Sequence, residues 1–124
     1  MAGREKYADM TKAEKKVAAH LNNWDFDWFY EHPLFVYDEK KRPRVWTPDF
    51  FLPALNIYIE VCGSEDFDYS YREEIYEENE IPVVFLPVYE ENGVWQKHLL
   101  KTMFAIEEKR HSNAMGKLKK LMDY

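Results

Sequence analysis

The sequence is short of three things, and each shortage excludes something. It has one cysteine in 124 residues, so no internal disulfide can staple it, and a reducing, cytosolic (cytoplasmic) setting is the default. No apolar run approaches the roughly 20 residues that span a bilayer, so no membrane segment is expected. The first residues, MAGREKYADMTKAEKK, lack the apolar centre of a signal peptide. Nor is there an excess of positive charge. The formal net charge is −6, which argues against a general nucleic-acid binder, because phosphate attraction supplies most non-specific affinity. The four histidines, His20, His32, His98 and His111, show no metal-ligand spacing, so a zinc site is not expected.

What is present is apolar and aromatic. A hydrophobic fraction of 46% with 17% aromatics fits a folded core and excludes a disordered chain. The length fits one domain over residues 1–124, with no internal repeat or low-complexity linker. Charge is distributed unevenly. Residues 65–80 hold eight acids against Arg72, whereas Lys40, Lys41, Arg42 and Arg44 cluster, and residues 93–124 are net basic. Such runs are ordinarily solvated surface, but the basic ones also suit a phosphate backbone.

Thr11 and Glu14 form a capping box, and Ala13, Val17, Ala18 and Leu21 make a helical stripe, so a helix should run to Asn22-Asn23. A first strand is expected within 28–37, interrupted or edged at Pro33. Arg44–Leu52 and Asn56–Cys62 read as the next two strands, joined through Pro53-Ala54-Leu55 in an antiparallel meander. A helix over 68–79 follows, capped by Asp66 or Asp68, with Tyr71, Ile75 and Tyr76 inward. The run Ile81–Val88 is the most apolar and reads as a central strand, parallel to Asn56–Cys62 because a helix precedes it. Glu91-Asn92-Gly93 reads as a turn. A helix over Gln96–Arg110 and a last one capped by Ser112 or Asn113 complete the chain. The order α-β-β-β-α-β followed by a C-terminal helical pair describes an α/β fold, a mixed β-sheet flanked by helices.

Chemistry is expected in Arg44–Gly63. Glu60 is the single acid in an otherwise uncharged strand, and a buried carboxylate is costly unless paired, hydrogen-bonded or metal-bound. Asp49 lies in the preceding strand, so pairing of the two would let the carboxylates face each other. Such acids suit Mg²⁺ or Mn²⁺, with the Val61 carbonyl as a further oxygen. The plainer alternatives are a turn aspartate beside Pro48, an arginine partner for Glu60 across the sheet, and a Glu14 that only caps its helix.

The ordered set Ala13-Glu14-Lys15-Lys16-Val17, Tyr30-Glu31, Thr47-Pro48-Asp49-Phe50-Phe51-Leu52-Pro53 and Ile59-Glu60-Val61-Cys62-Gly63 resembles the PD-(D/E)xK nucleases, nearest to the phage Holliday-junction-resolving endonucleases. The resemblance covers about Thr11 to Ile81. It implies a restriction-endonuclease-like fold, cleavage of DNA phosphodiesters, and metal ligation by Asp49, Glu60 and Glu14, with Val61 contributing its carbonyl. It also implies a further acid at Glu31 and a homodimer. Cys62 departs from the pattern, because it stands where those enzymes carry the catalytic lysine. Three outcomes follow: another cation (Lys40, Lys41, Arg44 or Arg72) reaches the site, the metal works alone, or the domain binds without cutting.

Overall fold

The computed structural model describes residues 9–90 and 93–123. They form a mixed α/β fold of three helices, a four-stranded sheet and a separate two-stranded hairpin. Helix α1 spans Lys12–Asn23. The strands are β1 (Phe29–Tyr30), β2 (Leu34–Tyr37), β3 (Pro43–Trp46), β4 (Phe50–Leu52), β5 (Ile57–Cys62) and β6 (Val83–Pro87). Helix α2 covers Ser70–Glu78 and α3 covers Val94–Met122. Among the described residues no helix is long and apolar enough to cross a membrane.

The main sheet has the order β1-β4-β5-β6, antiparallel except for the parallel β5–β6 pair. That parallel pairing is the one the intervening helix requires. Val17, Ala18 and Leu21 of α1 are fully buried against Phe50, Leu52, Ile57 and Ile59 of the sheet. Val17, Leu21 and the larger sheet side chains each contribute about 1.5–3 kcal/mol by leaving water. The same core takes Trp95, Leu99 and Met103 of α3. A smaller core joins Val36 of β2 to Ile75 and Tyr76 of α2. Tyr71, expected inside with them, is instead 48% exposed.

Other sequence expectations are corrected too. Tyr69, with no side-chain capping bond, stands at the N-cap of α2 in place of Asp66 or Asp68. Residues 28–37 are two strands in different sheets, β1 beside β4 and β2 beside β3. Arg44–Leu52 likewise divides, because Thr47-Pro48 ends β3 and lets the β2–β3 hairpin leave the main sheet. Strand β6 is an edge strand, not a central one. Its apolar run reflects coverage of both faces: Val84 and Leu86 enter the large core and Val83 and Phe85 the small one. The expected C-terminal helical pair is a single helix of 29 residues. Ser112 and Asn113 cap a helix only where the chain turns, and no proline or αL glycine makes it turn there. Of the expected turn at 91–93, Glu91 and Asn92 lie outside the described residues.

Candidate functional site

The β4–β5 ladder stops at Phe50↔Ile59. Extended by one residue, that register sets Asp49 opposite Glu60. Asp49 is no longer in the strand, and its side chain does what a backbone carbonyl would have done. Oδ2 accepts the Val61 N–H at 2.7 Å. The backbone of Asp49 is still tied to β1's end, its carbonyl accepting Glu31 N–H at 3.0 Å. The carboxyl is thus fixed at both ends of its residue, at the rim of the sheet.

Glu14 reaches the same point from α1. Its capping box is present: Thr11 Oγ1 accepts Glu14 N–H at 3.1 Å, and Glu14 Oε1 accepts Thr11 N–H at 2.8 Å. Oε1 also accepts the Tyr30 hydroxyl at 3.1 Å. The Glu14 carboxyl lies within hydrogen-bonding reach of Asp49. Capping and site formation are therefore the same contact set, since the cap fixes the carboxyl that meets Asp49. Two carboxyls can hydrogen-bond only if one holds a proton. Burial first, then the neighbouring Glu14 and Glu60, push the Asp49 carboxyl up to about 8, against the Val61 N–H that pulls it down.

Glu60 faces α2. Its Oε2 accepts Arg72 Nε at 2.8 Å, Arg72 Nη2 in a shorter contact, and the Tyr76 hydroxyl at 2.8 Å. Arg72 also donates to the Tyr76 hydroxyl at 3.1 Å, and its guanidinium carbon sits 4.8 Å from the Trp46 ring centre. Of the four cations considered from the sequence, Arg72 is the one that reaches Glu60. Arg44 is bound to Asp38 at 3.1 Å, and Lys40 and Lys41 sit on the hairpin turn. Among the described residues no hydrogen bond joins the Asp49 and Glu60 side chains. The two nevertheless line one cavity of about 400 Å³ with Val61, Trp46, Tyr69 and Arg72. A second cavity of about 340 Å³, lined by Glu14, Gly63 and Lys12, meets the first at Asp49 and Val61.

Cys62 is 6% exposed and lies on the Glu60 side of β5. Its thiol contacts the Glu60 carbonyl at 3.9 Å and the Tyr69 hydroxyl. Burial pushes the thiol up to about 11, so it is neither a thiolate nucleophile nor a substitute for a lysine. Tyr69 is likewise raised, to about 12, chiefly by burial and then by Cys62 and Asp49. Glu31 is exposed and borders Tyr30.

Tyr69 has no part in the sequence reading, and Tyr30 enters it only within the Tyr30-Glu31 pair. The signal for Tyr30 was its place beside Glu31. Tyr69 shows none, because its role depends on the loop that brings it over Cys62.

The pair Asp49–Glu14 has the donor chemistry for a hard divalent ion. Both carboxyls line one cavity, and a cation there would displace the proton that burial favours on Asp49. Among the described residues no group of three or more His, Cys, Asp or Glu is already gathered for a metal. No protein-family model matches this chain, and neither does any curated protein or solved structure.

Proposed function

We propose that this domain is a Mg²⁺- or Mn²⁺-dependent endonuclease of restriction-endonuclease-like fold, acting on DNA phosphodiesters. The observation that carries the reading is the Asp49–Glu14 carboxyl pair anchored on Val61. A purely structural aspartate at a turn has no need of a second carboxyl against it. Asp49 and Glu14 would hold the cation, with the Val61 carbonyl and, after release from Arg72, Glu60 as further oxygens. Bound there, the cation would supply a polarised water and positive charge for the phosphate.

The chain's own residues do the rest. The Val61 N–H and the capping box orient the two carboxyls, so little ordering is left for the moment of binding. Tyr30 holds the Glu14 carboxyl in place. Arg72 brings to the cavity the fixed positive charge that Cys62 cannot, from a helix instead of the strand. An arginine is always charged, and its planar fork suits phosphate oxygens. Stacking on Trp46 and bonding to Tyr76 hold it at the cavity wall.

A second reading has its own observation. Glu60 is already satisfied by Arg72 and Tyr76, and a buried thiol stands at the lysine position. Both suit a nuclease-fold module that binds nucleic acid or a protein without cutting. Plasmid nicking with Mg²⁺ or Mn²⁺ by wild type, Asp49→Asn, Arg72→Ala and Cys62→Lys decides between them. Cutting by wild type that Asp49→Asn abolishes supports the enzyme. An inert wild type made active by Cys62→Lys supports the non-cutting module.

A further inference from the structure

The β2–β3 hairpin uses only one of its faces. Val36 is buried on Ile75 and Tyr76, with Leu34 and Trp46 beside it. Strand alternation turns Phe35, Tyr37 and Val45 the other way, and they are 78%, 58% and 57% exposed. Phe35 stands directly opposite Val45, so the three side chains form one continuous ledge. Large apolar side chains gathered on one exposed face call for an explanation that scattered ones do not.

The turn at the end of this ledge sets four cations against Asp38 and Glu39, and Glu39 is engaged by the Tyr71 hydroxyl at 2.6 Å. Lys40, Lys41, Arg42 and Arg44 are all exposed. Asp38, only 3% exposed, holds the turn's backbone and its two arginine side chains in place. Its Oδ1 accepts the Lys40 and Arg42 N–H groups, each at 2.9 Å. Its Oδ2 takes Arg42 Nε at 3.0 Å and Arg44 Nε at 3.1 Å. At the other side, Asn79 of α2's end accepts Tyr37 N–H at 2.8 Å and donates to its carbonyl at 2.9 Å. The ledge is therefore fixed in position, and Val45 of the ledge and Trp46 behind it both line the cavity that holds Asp49, Glu60 and Arg72.

A fixed aromatic ledge beside a cationic turn suits unpaired nucleic acid. Bases stack on aromatic rings whatever their sequence, and lysines meet the phosphates between them. Duplex DNA hides its base faces in its own stack, so it would engage the cations alone. An apolar protein surface would engage the ledge and leave the cations without a role. The opposite cavity wall, Phe67, Tyr69 and Arg72, belongs to the acidic stretch 65–80, which repels phosphate and leaves the hairpin side as the approach.

We infer that the β2–β3 hairpin is a platform for single-stranded nucleic acid, with Phe35 and Tyr37 under the bases and Lys40 and Lys41 at the phosphates. It leads an unpaired strand into the Asp49 cavity and so makes frayed DNA ends the preferred substrate. The substrate statement rests on the nuclease reading, but strand binding is measured without cleavage.

The test is fluorescence anisotropy with a labelled oligothymidylate and a duplex of equal length, in EDTA. Wild type should bind the single strand more tightly. Phe35→Ala and Tyr37→Ala should each weaken binding about ten-fold, within the range for losing one base–aromatic stack, while Phe35→Tyr and Tyr37→Phe keep it. Lys40→Ala/Lys41→Ala should weaken binding and flatten the dependence of log affinity on log salt by about 1.4. Circular-dichroism melts confirm folding, and the lysine variant keeps the test intact if an aromatic one unfolds. Equal affinity for duplex, or variants that bind like wild type, overturns the inference. So does a ledge that instead mediates self-association lost in Phe35→Ala. Strand binding with no nicking leaves it standing and sinks the nuclease reading. Nicking of frayed DNA unchanged by hairpin variants does the reverse.

Discussion

Asp49 occupies the place of a strand residue towards Val61 and sets its carboxyl beside that of Glu14. Its Oδ2 accepts the Val61 amide at 2.7 Å, continuing the β4–β5 ladder by one bond after the β4 backbone has left it. The position of the carboxyl is thus a consequence of sheet geometry, and its neighbour is a consequence of helix capping.

Replacement of Asp49 should separate these roles. Asn keeps an oxygen for the Val61 amide, so at about pH 4 in EDTA Asp49→Asn should match wild-type stability, while at higher pH it should lack any stabilisation by Mg²⁺ or Mn²⁺. Asp49→Ala orphans the amide and should cost about 1–3 kcal/mol. Urea unfolding with and without the ion reads both. Equal ion-dependent stabilisation of wild type and Asp49→Asn would remove Asp49 from any metal site, since a ligand of the native state must raise its stability.

The raised Asp49 carboxyl has a defined pH signature. Its folded value, about 8, lies above the unfolded value near 3.9. A raised group contributes stability that is fully present below the unfolded value and lost as pH climbs to the folded one. Without a divalent ion, wild type should therefore lose stability between about pH 4 and pH 8 relative to Asp49→Asn. Mg²⁺ should reduce that loss, because a cation favours the ionised carboxyl. Parallel pH profiles for the two proteins would show that the carboxyl is not buried against Glu14 in solution.

Arg72 and Glu60 form a largely buried pair, their side chains 30% and 6% exposed. Removing one partner strands the other, so Arg72→Met should cost about 3–5 kcal/mol. Arg72→Met/Glu60→Gln should recover much of it, because Gln can keep the Tyr76 bond without a charge. If Arg72 also supplies the cation of the site, Arg72→Met should lower cutting by about 10²–10³-fold, and the double variant should stay equally slow.

The far half of α3 is expected to be dispensable for folding. Trp95, Leu99 and Met103 are its buried residues, and Arg110 bonds the β4–β5 turn at Leu55 and Asn56. Residues 111–123 are exposed throughout. A chain ending at Ser112 should melt within about 0.5 kcal/mol of the full one, the range for surface changes. A larger loss would mean that Met115, Leu118, Leu121 and Met122 are covered in solution, as a homodimer would cover them.

Much of this arrangement was legible in the sequence. Thr11 and Glu14 announced both the start of α1 and its cap, and the helix before Ile81 implied the parallel β5–β6 pair. The position of Glu60 in a strand announced a partner, but which partner was not legible, because Arg72 lies on another element and arrives through tertiary packing. Phe35 and Tyr37 read as ordinary strand residues. Only the departure of the hairpin from the main sheet at Thr47-Pro48 leaves them uncovered. Ile81–Val88 misled for a related reason, since an apolar run reports coverage of faces and not the number of neighbouring strands.

The most direct test of the central claim is nicking of supercoiled plasmid in Mg²⁺ or Mn²⁺ by wild type and Asp49→Asn side by side. Nicking by wild type that EDTA stops and Asp49→Asn lacks, with the variant folded, is the predicted result. Equal nicking by both, or none by a wild type that remains folded in either ion, would contradict it.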